Sequence, residues 1–295
     1  MRISLGPVPY HWPRADLLDF YARAGESSAD VIYVGETVCA KRRELTPDDW
    51  LDIAARLAET GKEVVLSTLT LIEAASELGT VKRLCGQGRF AVEANDMGAV
   101  QLLAAQARSF VAGTAINIYS GRTLAVLHRD GLRRWVAPVE LGRDAIEGIL
   151  DEAGALGVRD GIETEVLGHG RLPLAWSARC FTARAADVPK DRCGFRCIEH
   201  PRGLPVHTQE GRRVFTINGI QTQSGAVCDL CDLWPELAAA GVDIFRVAAE
   251  GRHSLAVVEA MAAAVRERRA PELPPDDEPV CRGYWLGAAG MEPPA

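Results

Sequence analysis

Short apolar runs alternate with amphipathic stretches along most of the chain. The runs fall at Ile3 to Val8, Val31 to Val34, Val64 to Leu66, Phe90 to Val92, Phe110 to Ala112, Trp135 to Val139, Ile162 to Leu167 and Val242 to Val247. They are rich in Val, Ile and Phe and continuous rather than alternating, the pattern of strands buried on both faces of a parallel sheet. Helical patterns lie between them at Arg14 to Ala24, Pro47 to Glu59, Leu71 to Leu84, Met97 to Ala107, Thr123 to Asp130, Arg143 to Ala155 and Ser254 to Arg268. Thr46 stands where an N-cap belongs, with Pro47 at the first helical position, and Gly61, Gly131 and Gly157 sit just past helix ends. Eight strand signals with helices between most of them predict a (β/α)₈-type, TIM-like barrel forming a single domain over residues 1–295, with a doubly wound open sheet as the alternative.

One interval breaks the rhythm. About 75 residues separate the seventh run from the eighth, so an insertion is expected at about 168–241, between strands 7 and 8. It contains Cys180, Cys193 and Cys197, a hairpin predicted from Leu204 to His207 with Arg213 to Ile217, and a loop expected at Gln221 to Gly225. In a barrel, the loop after a strand lies at the C-terminal face, where active sites of this fold are built. A tail is expected at about 270–295: Ala270 to Pro279 reads as a solvated linker, and Cys281 to Trp285 as a segment that docks again through its aromatics.

The insertion changes the picture from scaffold to chemistry. Three thiols fall within 18 residues, among Arg179, Arg184, Lys190, Arg192 and Arg196. Soft metals and iron–sulfur clusters are held by thiolates, and nearby cations favour that form. Cys39, directly after the second strand signal, would reach the same barrel face and is the best candidate for a fourth ligand. Four thiolates suit an iron–sulfur cluster or a structural zinc, and free thiols are the third possibility. The basic run Lys41-Arg42-Arg43 beside Cys39 reads either as a holder of a small polyanion or as solvated surface. Cys228-Asp229-Leu230-Cys231 is a CxxC without a partner pair and reads as two ordinary thiols opening a helix; Cys85 looks structural, and Cys281 is unassigned. Gly86-Gln87-Gly88-Arg89-Phe90-Ala91 matches a dinucleotide fingerprint in letters only, since it follows a helix and leads into a strand. Polar residues near strand ends, among them Glu36, Glu93, Glu163, Glu165 and His169, are the candidates for acid–base work at the barrel mouth.

A net charge of −7 with a pI near 5.5 speaks against sequence-independent nucleic-acid binding. No apolar run approaches 18 residues, so no membrane span is expected. The first residues carry too short an apolar run for a signal peptide, and a cytoplasmic location is expected.

The opening Ser4-Leu5-Gly6-Pro7-Val8, the stretch Ser28 to Cys39 and the run Leu172 to Arg184 resemble the collagenase-like peptidase family, and within it the ubiquinone-biosynthesis branch. Leu66 to Leu69, Ser76 to Gly79, Asn218 to Thr222 and Gly283 to Trp285 share the resemblance. It implies a [4Fe-4S] subunit of an oxygen-independent ring hydroxylase, with Cys39, Cys180, Cys193 and Cys197 as cluster ligands. It further implies a heterodimer with a UbiU-like subunit, a UbiT-like lipid carrier, a quinone precursor as substrate and prephenate as oxygen donor. A non-catalytic iron–sulfur partner, RNA hydroxylation and peptidase activity are the alternatives.

Overall fold

The computed structural model describes residues 1–290. Eight parallel strands close on themselves. β1 (Arg2–Leu5), β2 (Val31–Val34), β3 (Glu63–Ser67), β4 (Ala91–Ala94), β5 (Phe110–Ala112), β6 (Leu132–Val136), β7 (Glu163–Trp176) and β11 (Ile244–Val247) pair in that order, and β11 completes the circle by pairing both β7 and β1. Helices α1 (Arg14–Glu26), α2 (Pro47–Glu59), α3 (Leu78–Gly86), α4 (Met97–Ala104), α5 (Gly121–Arg129) and α6 (Arg143–Ala155) each cross from one strand to the next. α8 (Trp234–Ala239) precedes β11, and α9 (Arg252–Glu267) follows it. This is the TIM-like (β/α)₈ barrel that the run pattern predicts, not an open sheet.

Local signals set the element ends. Thr46 caps α2, accepting from the Asp49 amide at 3.2 Å while the Asp49 carboxylate accepts from the Thr46 amide at 2.8 Å, and Pro47 supplies the fixed φ of the first turn. Gly61 and Gly157 leave α2 and α6 with positive φ, 83° and 73°, conformations that penalise a Cβ. α3 starts later than the Leu71 to Leu84 pattern, because the Glu77 carboxylate accepts from the Glu73 and Ala74 amides and holds 71–74 outside the helix. β6 starts and ends earlier than its apolar run: Pro138 has no amide to donate, and the buried Arg134, which lies before the run, belongs to the strand.

Two shells of apolar side chains result. The larger packs strands against helices, and a small set, Val31, Tyr33, Val65, Val111 and Val136, lies within the barrel. Charged groups share that interior. Arg246 donates to Glu165 at 2.7 Å and to Glu93 at 2.9 Å, Glu165 also accepts from Ser4 and Tyr33, and Arg134 donates to Tyr33 and Glu163. Arg246 also lies over the Tyr33 ring, 4.0 Å from its centroid.

The insertion stands on the C-terminal face. β7 runs 14 residues, well past its barrel neighbours, and its outer part pairs antiparallel with β10 (Gln221–Asp229). β10 pairs with β9 (Arg213–Asn218), and β9 with β8 (Leu204–His207), the hairpin the sequence predicts. Gln221 to Gly225 is therefore strand and not loop; alternating Gln, Thr and Ser read as a turn until β7 and β9 flank them. Cys228 likewise lies in β10 rather than opening a helix, and only Cys231 belongs to the turn before α8. β12 (Val280–Cys281) adds to β10, and Trp285 is buried against the core. The preceding segment is more than a solvated linker: Glu278 pairs with Arg171, Arg202 and Arg213. Met291 to Ala295 lie outside the described residues. Among the described residues no helix is long and apolar enough to cross a membrane.

Candidate functional site

Cys39, Cys180, Cys193 and Cys197 line one pocket, together with Lys41, Arg42, Lys190 and Arg196. Each sulfur is placed by a different local device. Cys39 sits in the β2–α2 loop, where the Glu36 carboxylate accepts from the amides of Val38 and Cys39 at 2.8 and 3.0 Å. Cys180 is the N-cap of α7 (Phe181–Ala185), its sulfur accepting from the Ala183 amide at 3.4 Å. Cys193 follows a 3₁₀ turn, and Gly194 and Phe195 then take left-handed φ values of 57° and 56°, reversing the chain so that Cys197 returns to the same pocket. A left-handed bulky residue is uncommon. Phe195 is held there edge-on against His11, with ring centroids 5.8 Å apart.

The loop of Cys39 is stapled to the insertion. Lys41 Nζ donates to the Lys190 carbonyl and to Asp191, both at 3.0 Å. The buried Arg42 donates to the Pro9 carbonyl at 2.6 Å and to Asn218 Oδ1 at 2.7 Å. Trp12 Nε1 donates to the Pro201 carbonyl at 2.8 Å. Lys41 and Arg42 thus build the pocket wall rather than a solvated face, whereas Arg43 is exposed. Lys190 also binds Glu73 and the Ala178 carbonyl.

Burial pushes the thiols of Cys39 and Cys197 up, and Arg42 pulls both back. His11 escaped the sequence reading. Its Nδ1 lies 3.2 Å from the Cys197 sulfur and its Nε2 3.3 Å from Glu44, while burial and then Arg42 hold its pKa below the usual histidine value. Nothing in the run Pro9-Tyr10-His11-Trp12 marks it, because the contact spans 186 residues. All eight cysteines are free. Among the described residues, no three His, Cys, Asp or Glu side chains stand close enough together to share a single metal ion.

The acid–base candidates scatter. Glu93 lines a second cavity of about 90 Å³ at the barrel mouth, with Asn95, Arg171, Trp176, Gln221 and Gln223 around it. Its carboxylate is engaged by Arg246 at 2.9 Å and Ser67 at 2.6 Å. Glu165 is deeper in the barrel; burial opposes its ionisation, but Arg246 and Arg134 hold its pKa below the ordinary value. Glu163 is corrected in position: it begins β7 and pairs with Arg2 and Arg134 at the N-terminal face, away from the mouth. Glu36 is half-buried, desolvation raises its pKa, and it serves the Cys39 loop. His169 is buried beside His253, with burial holding its pKa low, and does not line the mouth cavity.

Residues 18–269 match the model of peptidase family U32. Among solved structures, the U32 peptidase Mk0906 is 13% identical over 85% of this chain and 94% of its own, with a TM-score of 0.47. Yersinia pestis DHPS in a pterine-sulfa complex is 12% identical over 91% and 94%, TM-score 0.44. A dihydropteroate synthase from Coxiella burnetii is 10% identical over 90% and 94%, TM-score 0.39. With about five-sixths of its length inside the family match, the chain belongs to peptidase family U32.

Proposed function

We propose that this chain is an iron–sulfur protein in which Cys39, Cys180, Cys193 and Cys197 hold a [4Fe-4S] cluster. The observation that carries the reading is the convergence of these four cysteines, from loops about 140 residues apart, on one pocket walled by Lys41, Arg42 and Lys190. A single zinc ion needs its sulfurs all about 2.3 Å from one centre. A cluster instead takes each cysteine on a different iron, so its ligands stand farther apart. When bound, such a cluster supplies one-electron transfer, tuned by hydrogen bonds to its sulfurs and by nearby charge. Arg42 and Lys41 offset the negative charge of the thiolates, and His11 is in reach of the Cys197 sulfur. By its sequence resemblance the chain acts as a subunit of an oxygen-independent hydroxylase of ubiquinone biosynthesis. There it pairs with a UbiU-like subunit, works in one system with a UbiT-like lipid carrier, acts on a quinone precursor and draws oxygen from prephenate.

Anaerobic purification with iron and sulfide analysis tests this. Roughly four irons per chain, lost in Cys180→Ala, are expected; stoichiometric zinc ends the reading.

One observation favours a second reading, a cysteine peptidase. Cys197, His11 and Glu44 stand in line at 3.2 and 3.3 Å, the spacing of a nucleophile, its base and an orienting carboxylate. Against it, burial raises the Cys197 pKa, which disfavours a thiolate nucleophile. The peptidase reading predicts cleavage of casein by iron-free protein and its loss in His11→Ala; the cluster reading predicts no cleavage by either.

A further inference from the structure

His11 meets the cysteine pocket from the segment between β1 and α1, a part of the chain that supplies no cysteine. Its Nδ1 stands 3.2 Å from the Cys197 sulfur and its Nε2 3.3 Å from Glu44 Oε1. The residue is 3% exposed, so water is no substitute for the sulfur.

The ring has no room to turn away. On one side of it Tyr10 donates to Gln223 Oε1 at 3.1 Å, and on the other Trp12 Nε1 donates to the Pro201 carbonyl at 2.8 Å. One step back, the Pro9 carbonyl accepts from Arg42 at 2.6 Å and from Asn218 Nδ2 at 2.7 Å. Phe195 packs edge-on against the imidazole itself, from the turn that joins Cys193 to Cys197. Residues 9–12 are thus pinned to β9, β10, the insertion and the Cys39 loop at once, and that fixes the edge of the imidazole toward the sulfur.

The pocket sulfurs are not equivalent. Cys180 accepts from a backbone amide, that of Ala183, which any residue at that position except proline would supply. Cys197 faces a side chain instead, so its neighbour is specified by sequence. A thiolate bound to metal has no hydrogen to give, so a ring nitrogen in contact with it acts as the donor. Hydrogen bonds to the sulfurs are among the levers that set the reduction potential of an iron–sulfur centre. Reduction adds negative charge, so a donor aimed at a ligating sulfur favours the reduced form and raises the potential.

We propose that His11 is a positioning residue for electron transfer: its Nδ1–H donates to the Cys197 thiolate and raises the reduction potential of the centre held there. The inference rests on the cluster reading, and the experiment separates the two. Full chain purified without oxygen, as parent, His11→Phe, His11→Leu and His11→Asn, is assayed for iron and then titrated with redox mediators, the reduced form being followed by electron paramagnetic resonance. Phenylalanine keeps a ring against Phe195 but has no donor, and leucine replaces it where the phenylalanine variant holds no iron. Asparagine carries an amide nitrogen near the place of Nδ1 and keeps a donor. The donor-free variant is expected to shift the reduction equilibrium about tenfold toward the oxidised form, a potential about 59 mV lower, and His11→Asn to recover about half of that or more. An unchanged potential in an iron-loaded donor-free variant overturns the proposal. So does an equal drop in His11→Asn, which assigns the effect to packing or charge, and so does loss of iron from both donor-free variants, which makes His11 a brace of the loop. A parent chain with about four irons but no reducible centre overturns this proposal alone, whereas a parent without iron overturns the cluster reading and this one with it.

Discussion

The eight cysteines fall into two sets of four that share a side chain and little else. Cys39, Cys180, Cys193 and Cys197 are half-buried, on loops, beside Lys41, Arg42 and Lys190. Cys85, Cys228, Cys231 and Cys281 are buried in the apolar core. Burial raises the pKa of Cys39 and Cys197, but Arg42 pulls the other way. In the core set burial is the first cause of every shift, opposed by Arg108 at Cys85 and by Arg282 at Cys228. Cys85 and Cys281 are pushed up to about 11, and Cys228 and Cys231 are raised further with Asp229 beside them. A thiol next to a guanidinium can be a ligand, whereas one next to a carboxylate in a dry core stays protonated and behaves as a small apolar side chain.

The comparison breaks most sharply on metal content. If the proposed cluster is present, the parent chain should carry iron after anaerobic purification, and Cys39→Ala, Cys193→Ala and Cys197→Ala should each lose nearly all of it, by iron and sulfide assay. Cys228→Ala and Cys231→Ala should keep it in full; iron loss in either would erase the distinction between the sets.

Next in size is the buried ion network that fixes the barrel beneath both cavities. Arg246→Met leaves Glu93 without its cation and Glu165 with only Arg134, 3.9 Å away, and should cost about 3–5 kcal/mol in urea unfolding. Glu165 gives this network a pH signature. Its folded pKa lies below the ordinary 4.5, so its stabilising contribution is complete above that value and is lost as pH falls through the folded pKa. Acid unfolding followed below pH 4.5 should therefore be less steep in Glu165→Gln than in the parent chain.

Smallest is the core set. Cys85→Ala removes one buried sulfur and should cost about 1 kcal/mol with iron content unchanged, by thermal unfolding and iron assay.

Much of the scaffold was legible because it is local. β2 and β5 and the helices α2 and α6 match their sequence signals residue for residue, since a continuous apolar run, a capping threonine and a glycine past a helix end each act within a few positions. What was misread has the opposite character. Gln221 to Gly225 looks like a turn until β7 and β9 supply partners, and Arg134 hides only the start of β6, its charge being answered by Glu63 and by Glu163 on the neighbouring strand. His11 had no signal at all, and Glu163 looked like a mouth residue because a run of letters does not say which end of a strand faces up.

By itself the order of residues determined the alternation of strands and helices, the interval that breaks it and the cysteines that fall there, because each depends on hydrophobic period, backbone preference or plain position in the chain. Only the closed barrel decided which groups meet. Joining β11 to β1 and β7 puts the β2–α2 loop beneath an insertion about 140 residues away and turns Gln221 and Gln223 toward one mouth. Contacts of that span arise from chain closure, and no local preference encodes them.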